Sequence, residues 1–432
     1  MNINKVLEEE VKKIKLSEEE LKNLEILSKL VISAIEHKIK TKRIDADVFI
    51  GGSLAKGTLI KKTKQDVDLF IRFDKKYTEK EIKNLLRKIF FWFKLPGIKT
   101  KIKRVHGSRD YYKILLGKNK DLVFEIIPNV KVIHPEQARN VTDLSFFHIK
   151  YIKDEIKNKK GLGDEILLAK SFCHGQKCYG AESYINGFSG YALELLITYY
   201  RSFGKLLREV SKGNEKIIID PAKYYKNKDE ILEKLNPAKT KSPIIIIDPT
   251  FKDRNAASAL SKETFSRFKL SAKKFLENPS SDFFKHEKIN IADLRKDAQN
   301  VHGVLAVFSI KTKKQAGDIA GTKLLKFSKF LENQISKYFN ITRKEFDYSD
   351  GKDAKVYFVL SRKNEIIIEG PSTSLEYAVN EFKKAHPIWY VENSRIYSAL
   401  PTDISISEFL KEFKKINKKT IKQMSINKIK LA

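Results

Sequence analysis

Two aspartates one residue apart, Asp66 and Asp68, are the residues whose types and spacing first indicate chemistry. They lie in the segment DVDLFIRF, where polar and apolar residues alternate as they do in a half-buried strand. Because strand side chains repeat every two residues, both carboxylates lie on one face. Paired carboxylates suit a hard cation such as Mg²⁺, although solvated acids on an exposed edge strand would give the same pattern.

A third acid, Glu125, is the only charge in the apolar segment DLVFEIIPNV. An unpaired charge is costly to bury, so Glu125 either faces solvent or meets a cation. If this strand lies beside DVDLFIRF, then Asp66, Asp68 and Glu125 converge on one metal site. Two Mg²⁺ ions there could activate an attacking hydroxyl and neutralise a triphosphate.

The segment GGSLAKGT, residues 51–58, contains the residue types of a phosphate-binding loop in an unusual order. Its lysine precedes the last glycine, whereas a Walker A loop has the order G-x-x-x-x-G-K-[ST]. The segment follows the strand VFI and precedes a predicted short helix, where free backbone N–H groups can hold phosphate. We therefore expect Ser53 and the Gly-Ser turn to bind the β- and γ-phosphates, with Lys56 as a point charge.

The surrounding patterns predict an α+β protein of several domains. A helical start, a helix over residues 78–93 and several strands form a small α/β domain over residues 1–140. Helical patterns dominate the central domain, residues 141–257, which is closed by the strand PIIIIDP. The C-terminal region, residues 258–432, shows a split-βαβ-like order of strands and helices over residues 302–393, followed by a basic, helix-compatible tail.

Composition indicates the class of partner. The 432 residues include 85 Lys and Arg against 54 Asp and Glu, a net charge of +31 that favours a polyanion such as nucleic acid. General lysine enrichment is the alternative explanation. Two cysteines, Cys173 and Cys178, are too few for a disulfide framework and fit a reducing compartment better than a zinc site. With no signal peptide or apolar run long enough to span a membrane, we expect a soluble, cytoplasmic protein.

Together, a Gly-Ser turn, a D-x-D strand and a lone acid on a later strand resemble the polymerase-beta-type nucleotidyltransferases. The resemblance narrows to the archaeal class I CCA-adding enzymes through three further segments. These are TDLSFFHIKYI (142–152), KSFCHGQKCYGAESYINGFSGYALELL (170–196) and IDPTFKDRNAASALS (247–261). The match extends over roughly residues 45–275.

This resemblance implies template-independent addition of C, C and A to the 3′ end of tRNA, from CTP and ATP, with two Mg²⁺ ions and release of pyrophosphate. It makes Asp66, Asp68 and Glu125 the catalytic metal ligands and Arg254 a residue that helps choose the base. The implied nucleotide-binding residues are Ser53, Lys56, His148, Lys170, Tyr179 and Arg254. The partner would be tRNA, bound at its acceptor stem and 3′ end, with the C-terminal region as a tRNA-binding region, and a homodimer is left open.

The sequence departs from the family pattern at several of these positions. Glu125 stands where Asp is usual, which leaves its coordination of metal open. Lys56 replaces an Arg and keeps the charge without the bidentate fork. Two alternative functions share the catalytic face: a poly(A) polymerase or oligoadenylate-synthetase-like enzyme, and an RNA-binding homologue whose transferase site is inactive.

Overall fold

The computed structural model describes residues 2–117, 121–213, 216–285, 289–349 and 351–432. The chain divides into two compact units, residues 1–286 and 287–432. The predicted turn GKNKD falls largely outside the described residues. The predicted domain boundaries after residues 140 and 257 stay predictions.

The helices and strands of the first unit alternate through its first half, after which helices dominate. Its helices are α1 (Ile3–Ile14), α2 (Glu18–Thr41), α3 (Gly52–Lys56), α4 (Glu79–Phe90), α5 (Ser145–Asn158), α6 (Leu162–Gly175), α7 (Gly190–Tyr200), α8 (Phe203–Lys212), α9 (Lys228–Lys234) and α10 (Lys262–Glu277). Its strands are β1 (Ala46–Ile50), β2 (Gln65–Phe73), β3 (Thr100–Val105), β4 (Tyr111–Leu116), β5 (Leu122–Val130), β6 (Ile217–Ile219), β7 (Ile244–Asp248) and β8 (Phe251–Asn255).

A five-stranded sheet carries the predicted carboxylates. Its strand order is β1-β2-β5-β4-β3, with β2 and β5 parallel and the other neighbours antiparallel. The apolar residues of β2 are fully buried at Val67, Leu69, Ile71 and Phe73, in one core with residues of α2 and α4. The period-two pattern of the sequence thus correctly separated the two faces, and the polar residues of β2 lie on the face away from these helices.

A second core lies among α6, α7, α8 and α10, where aromatic side chains pack edge to face. Phe172, Phe203, Phe268 and Phe275 are all fully buried there. The thiols of Cys173 and Cys178 are buried in the same core and free of any disulfide. A short sheet with the order β6-β7-β8 borders this core, and every residue of β7 is buried.

The second unit contains two separate sheets. Its helices are α11 (Ile291–Asn300), α12 (Asp318–Ile335), α13 (Glu376–Ala385), α14 (Ile406–Ile416) and α15 (Lys418–Gln423). Its strands are β9 (Val304–Thr312), β10 (Phe339–Asp347), β11 (Asp353–Arg362), β12 (Glu365–Ser372), β13 (Tyr390–Glu392), β14 (Arg395–Pro401) and β15 (Ile426–Leu431).

The sequence predicts a split-βαβ-like order of strands and helices over residues 302–393, but the strands of this region belong to two separate sheets. One sheet has the order β10-β11-β9-β15 and the other β12-β14-β13. The basic tail, predicted to be helix-compatible, forms two helices and then β15, which pairs with β9. INKIKL does not alternate strictly, but a register shift between Ile426 and Lys428 lets both Ile426 and Ile429 be buried on the sheet. None of the helices in the described ranges is long and apolar enough to cross a membrane.

Candidate active site

The three predicted carboxylates lie on two neighbouring strands. In the parallel register of β2 and β5, Asp68 stands directly opposite Glu125, and Asp66 precedes it on the same face. Asp66 is exposed and Asp68 is half-buried. Burial, followed by the negative charge of Glu125, raises the pKa of Asp68 to about 7. This face therefore concentrates carboxylate oxygens, and the positive charges of Lys56 and Lys170 offset the rise in the pKa of Asp68 only in part.

The glycine turn lies directly against Asp68. The Gly51 N–H donates to the Asp68 carbonyl at 2.8 Å, and Gly52 has a φ of +55°. A Cβ atom at Gly52 would stand 1.7 Å from Asp68 Oδ2. Only glycine leaves room for the carboxylate here, so the turn and the acid form one structural element. Ser53 and Lys56, both half-buried, follow on α3.

On its other side Glu125 meets a lysine that the sequence had not singled out. Lys113 is the direct partner of Glu125 between β4 and β5, and Lys113 Nζ lies 2.6 Å from Glu125 Oε1. Within the described residues, no three His, Cys, Asp or Glu side chains are arranged to hold a metal ion. The three carboxylates thus share a face, while Glu125 is engaged by Lys113.

A buried acid, Glu194 on α7, gathers two of the predicted phosphate-binding lysines. Lys56 Nζ lies 2.5 Å from Glu194 Oε2, and Lys170 Nζ lies 2.8 Å from Glu194 Oε1. Lys170 also donates to the carbonyl and hydroxyl oxygens of Thr58, and the Thr58 hydroxyl donates to Glu194. Burial opposes ionisation of Glu194, yet the charges of Lys170 and Lys56 hold its pKa at about 2. With 2 % of its side chain exposed, Lys170 braces the loop that carries Lys56.

A second buried acid, Asp248 at the end of β7, joins His148 to Arg254. Asp248 Oδ2 lies 3.0 Å from His148 Nε2 and accepts from Arg254 Nη1 at 2.6 Å. Its other oxygen accepts from the hydroxyl of Tyr191 at 3.0 Å and from Thr250. The Tyr191 ring stacks on His148 with centroids 4.0 Å apart. These hydrogen bonds fix the orientation of both predicted nucleotide-binding side chains.

Tyr179 lies near the start of the loop between α6 and α7. Its ring stacks on His174 with centroids 3.9 Å apart, and Lys62 Nζ lies 5.5 Å from its centroid. Burial, then the negative charges of Glu194 and Asp68, raise the pKa of this phenol. Tyr179 is therefore electrostatically coupled to both the carboxylate face and the lysine cluster.

The structure thus places the predicted residues in three neighbouring groups within the first unit. Asp66, Asp68 and Glu125 share the sheet face, Lys56 and Lys170 meet at Glu194, and His148 and Arg254 meet at Asp248. Lys56 Nζ lies 5.9 Å from the centroid of Tyr191, which links the last two groups.

Sequence reasoning did not assign Glu194, Asp248, Thr58 or Lys113 to the site. The first two stand inside the quoted motifs, GYALELL and IDPTFKDRN, so the motifs contained the signal. Glu194 lies 138 residues along the chain from Lys56, and Asp248 lies 100 from His148. No local pattern identifies such contacts.

Comparisons with known proteins agree with this geometry. Residues 28–159 match the family described as nucleotidyltransferase domain, and residues 164–285 match the tRNA nucleotidyltransferase second domain. A CCA-adding enzyme of Nanoarchaeum equitans is 30 % identical over 371 residues, which cover 86 % of this chain and 88 % of the relative. A CCA-adding enzyme of Methanocaldococcus jannaschii is 27 % identical over 439 residues, covering 99 % and 94 %.

A solved structure of Cid1, described as having RNA terminal uridylyl transferase activity, is similar in fold. It has a TM-score of 0.51 and 15 % identity and covers 66 % of this chain and 98 % of its own. This likeness confirms the predicted nucleotidyltransferase fold, and the sequence relatives confirm the predicted family. With its carboxylate face, its glycine turn and relatives that align along most of its length, the chain belongs to the family of archaeal CCA-adding enzymes.

Proposed function

We propose that this protein adds C, C and A in turn to the 3′ end of tRNA in the cytoplasm, without a nucleic-acid template. CTP and ATP supply the nucleotides, the tRNA 3′-hydroxyl attacks the α-phosphorus, and pyrophosphate leaves. The observation that carries the proposal is the Gly52 turn packed against Asp68, opposite Glu125 on the next strand. In this arrangement the turn that we assign to phosphate binding lies beside the carboxylate face, which supports nucleotidyl transfer.

The donor set fits Mg²⁺. All three side chains offer carboxylate oxygens, the ligands that this hard cation prefers, and burial together with the charge of Glu125 raises the pKa of Asp68 to about 7. Asp66, Asp68 and Glu125 would hold the ions, with Glu125 leaving Lys113 to do so. When bound, Mg²⁺ supplies activation of the 3′-hydroxyl and neutralisation of the triphosphate charge.

We assign the triphosphate to the loop from Ser53 to Lys56 and to the side chains that brace it. Two lysines share the single charge of Glu194, so this cluster keeps one net positive charge for an anion. Because Lys170 is buried, it would act mainly by holding Thr58 and Lys56 in place. His148 and Tyr179 complete the assigned phosphate-binding set, next to these lysines.

We assign base selection to Arg254. Its guanidinium is held by Asp248 through Nη1, and its remaining N–H donors are available to acceptors on cytosine and adenine. Cytosine N3 and adenine N1 accept a hydrogen bond, whereas uracil N3 and guanine N1 carry a proton, so at this position an Arg254 donor would face another donor. A site built on hydrogen bonds rejects such partners.

The first experiment is the sequence of the extended 3′ end. With tRNA lacking its last three nucleotides, we expect C, C and A and then arrest with CTP and ATP, and arrest after two residues with CTP alone. The Asp66→Asn, Asp68→Asn double variant should add nothing and yet bind tRNA with affinity changed by less than about 1 kcal/mol, because phosphate contacts dominate RNA affinity.

The same experiment discriminates between the alternatives. A homopolymeric A tail, or long extension with ATP alone, would favour a poly(A) polymerase. An absence of incorporation by the wild-type protein would favour an inactive RNA-binding homologue. Incorporation by the double aspartate variant would contradict the metal assignment alone.

A further inference from the structure

Three residues form a row across three adjacent strands on the carboxylate face. Asp68 on β2 is opposite Glu125 on β5, which is opposite Lys113 on β4. Directly opposed residues of neighbouring strands lie on the same face of a sheet. Glu125 therefore stands between a second carboxylate and a lysine ammonium group.

The contact between Glu125 and Lys113 is an ion pair shielded from much of the solvent. Lys113 Nζ and Glu125 Oε1 are 2.6 Å apart, with 29 % and 22 % of the two side chains exposed. The other lysines of the site, Lys56 and Lys170, are bound to Glu194. Lys113 thus brings one positive charge to Glu125 on the carboxylate face. A divalent cation at the same place would bring two positive charges.

The Lys113 ammonium group occupies one oxygen of Glu125, a carboxylate that is needed for the proposed metal site. No three acidic or histidine side chains of the described residues are arranged to hold a metal, and Glu125 Oε1 is directed to Lys113. A glutamate has one more methylene than an aspartate, so its carboxylate can reach either of two neighbouring cations from one backbone position.

We propose that Lys113 is a positioning residue that competes with divalent metal for Glu125 and so weakens metal binding before nucleotide arrives. The proposal rests on the metal assignment made above. In the nucleotide-free protein Glu125 Oε1 is paired with Lys113. When a nucleotide triphosphate brings its own metal, the larger positive charge draws Glu125 from Lys113. The full three-carboxylate site is then formed only in the presence of substrate.

The test is the binding of Mn²⁺ alone to the full-length, nucleotide-free protein, measured by loss of the free-ion electron paramagnetic resonance signal. Lys113→Met should bind Mn²⁺ about tenfold more tightly than the wild type. This is the size expected for removing one charge roughly 6 Å from a divalent ion in a water-like dielectric. Lys113→Arg keeps the charge and should resemble the wild type.

Lys103→Met is the matched control, because Lys103 is exposed and lies opposite Lys113 one strand further from Glu125. It should change Mn²⁺ affinity less than Lys113→Met does. Unchanged or weaker binding in Lys113→Met, or an equal gain in Lys103→Met, would overturn the proposal.

Asp68→Asn separates this proposal from the metal assignment itself. If Asp68 is a ligand, its variant loses Mn²⁺ binding whatever Lys113 does. If Asp68→Asn binds Mn²⁺ as the wild type does, the metal assignment fails, and the competition proposed for Lys113 fails with it.

Discussion

Single carboxylates hold more than one functional side chain at this site. Glu194 binds both Lys56 and Lys170, and Asp248 binds both His148 and Arg254. Each acid is almost completely buried, so its partners are fixed by short hydrogen bonds in a medium that screens charge weakly. The loss of one acid would release two predicted substrate contacts at once.

Glu194 should give the protein a measurable pH dependence of stability. Burial opposes its ionisation, but the charges of Lys170 and Lys56 overcome this effect and lower its pKa from the ordinary 4.5 of a glutamate to about 2 in the folded protein. A carboxyl whose pKa falls on folding stabilises the protein above its unfolded pKa, and this stabilisation disappears as the pH falls towards its folded pKa. The shift corresponds to about 3 kcal/mol, so wild-type stability should exceed that of Glu194→Gln most near pH 6–7 and progressively less below pH 4.

Urea unfolding followed by circular dichroism at several pH values measures this difference. Glu155→Gln is a suitable control, because Glu155 pairs with Arg201 at 2.7 Å but the arginine is 47 % exposed. Its effect should stay below about 1 kcal/mol at every pH. A difference between wild type and Glu194→Gln that does not vary from pH 7 to pH 3 would refute the assignment.

At the scale of elements, the two glycines that flank α3 differ in how closely they pack against Asp68. Gly52 and Gly57 lie at the two ends of α3, with φ values of +55° and +68°. An added Cβ would collide with Asp68 at Gly52, but it would meet nothing within 4 Å at Gly57. The backbone strain of a substitution is similar at both positions, whereas the effect on the carboxylate is not.

We therefore predict that Gly52→Ala lowers kcat by more than about a hundredfold, because displacing a catalytic group by about 1 Å has an effect of that size. Gly57→Ala should retain kcat within about twofold and lose roughly 1 kcal/mol of stability from its left-handed backbone. Single-nucleotide incorporation and thermal unfolding of both variants test this pair. Equal loss of kcat in the two would show that backbone strain, and not the Asp68 contact, is responsible.

Local patterns predicted much of this element structure. Alternation in β2 identified that strand and the face of Asp66 and Asp68, because the period of a strand is visible in a few residues, and an apolar run identified β5. The pairing of Glu125 with Lys113 could not be predicted, since register depends on which strands become neighbours. Likewise, the pattern of residues 261–276 is compatible with a helix, but only the fold shows that Phe268 and Phe275 lie in the core around α6.

The whole chain is strongly basic, and its charge matters for the affinity of a large anionic substrate. The net charge is +31, and each phosphate neutralised by Lys or Arg releases counterions into solution. Such binding weakens as salt concentration rises, whereas chemistry within the bound complex does not depend on counterion release.

Raising monovalent salt from 50 to 200 mM should therefore weaken tRNA binding by about two orders of magnitude. The kcat measured at saturating tRNA should change by less than about threefold. Filter binding and steady-state incorporation measure the two quantities, and the double aspartate variant should show the same salt dependence of binding. A tRNA affinity that does not respond to salt would mean that contacts other than phosphate neutralisation dominate.

The pairing of β15 with β9 has a consequence for synthesis on the ribosome. β9 is complete at Thr312, but the strand that covers its second edge begins only at Ile426. More than a hundred residues must therefore be translated while that edge of β9 has no partner, and an unpaired strand edge is a template for association with other chains. Nascent chains stalled before β15 should accordingly be the ones that require chaperones.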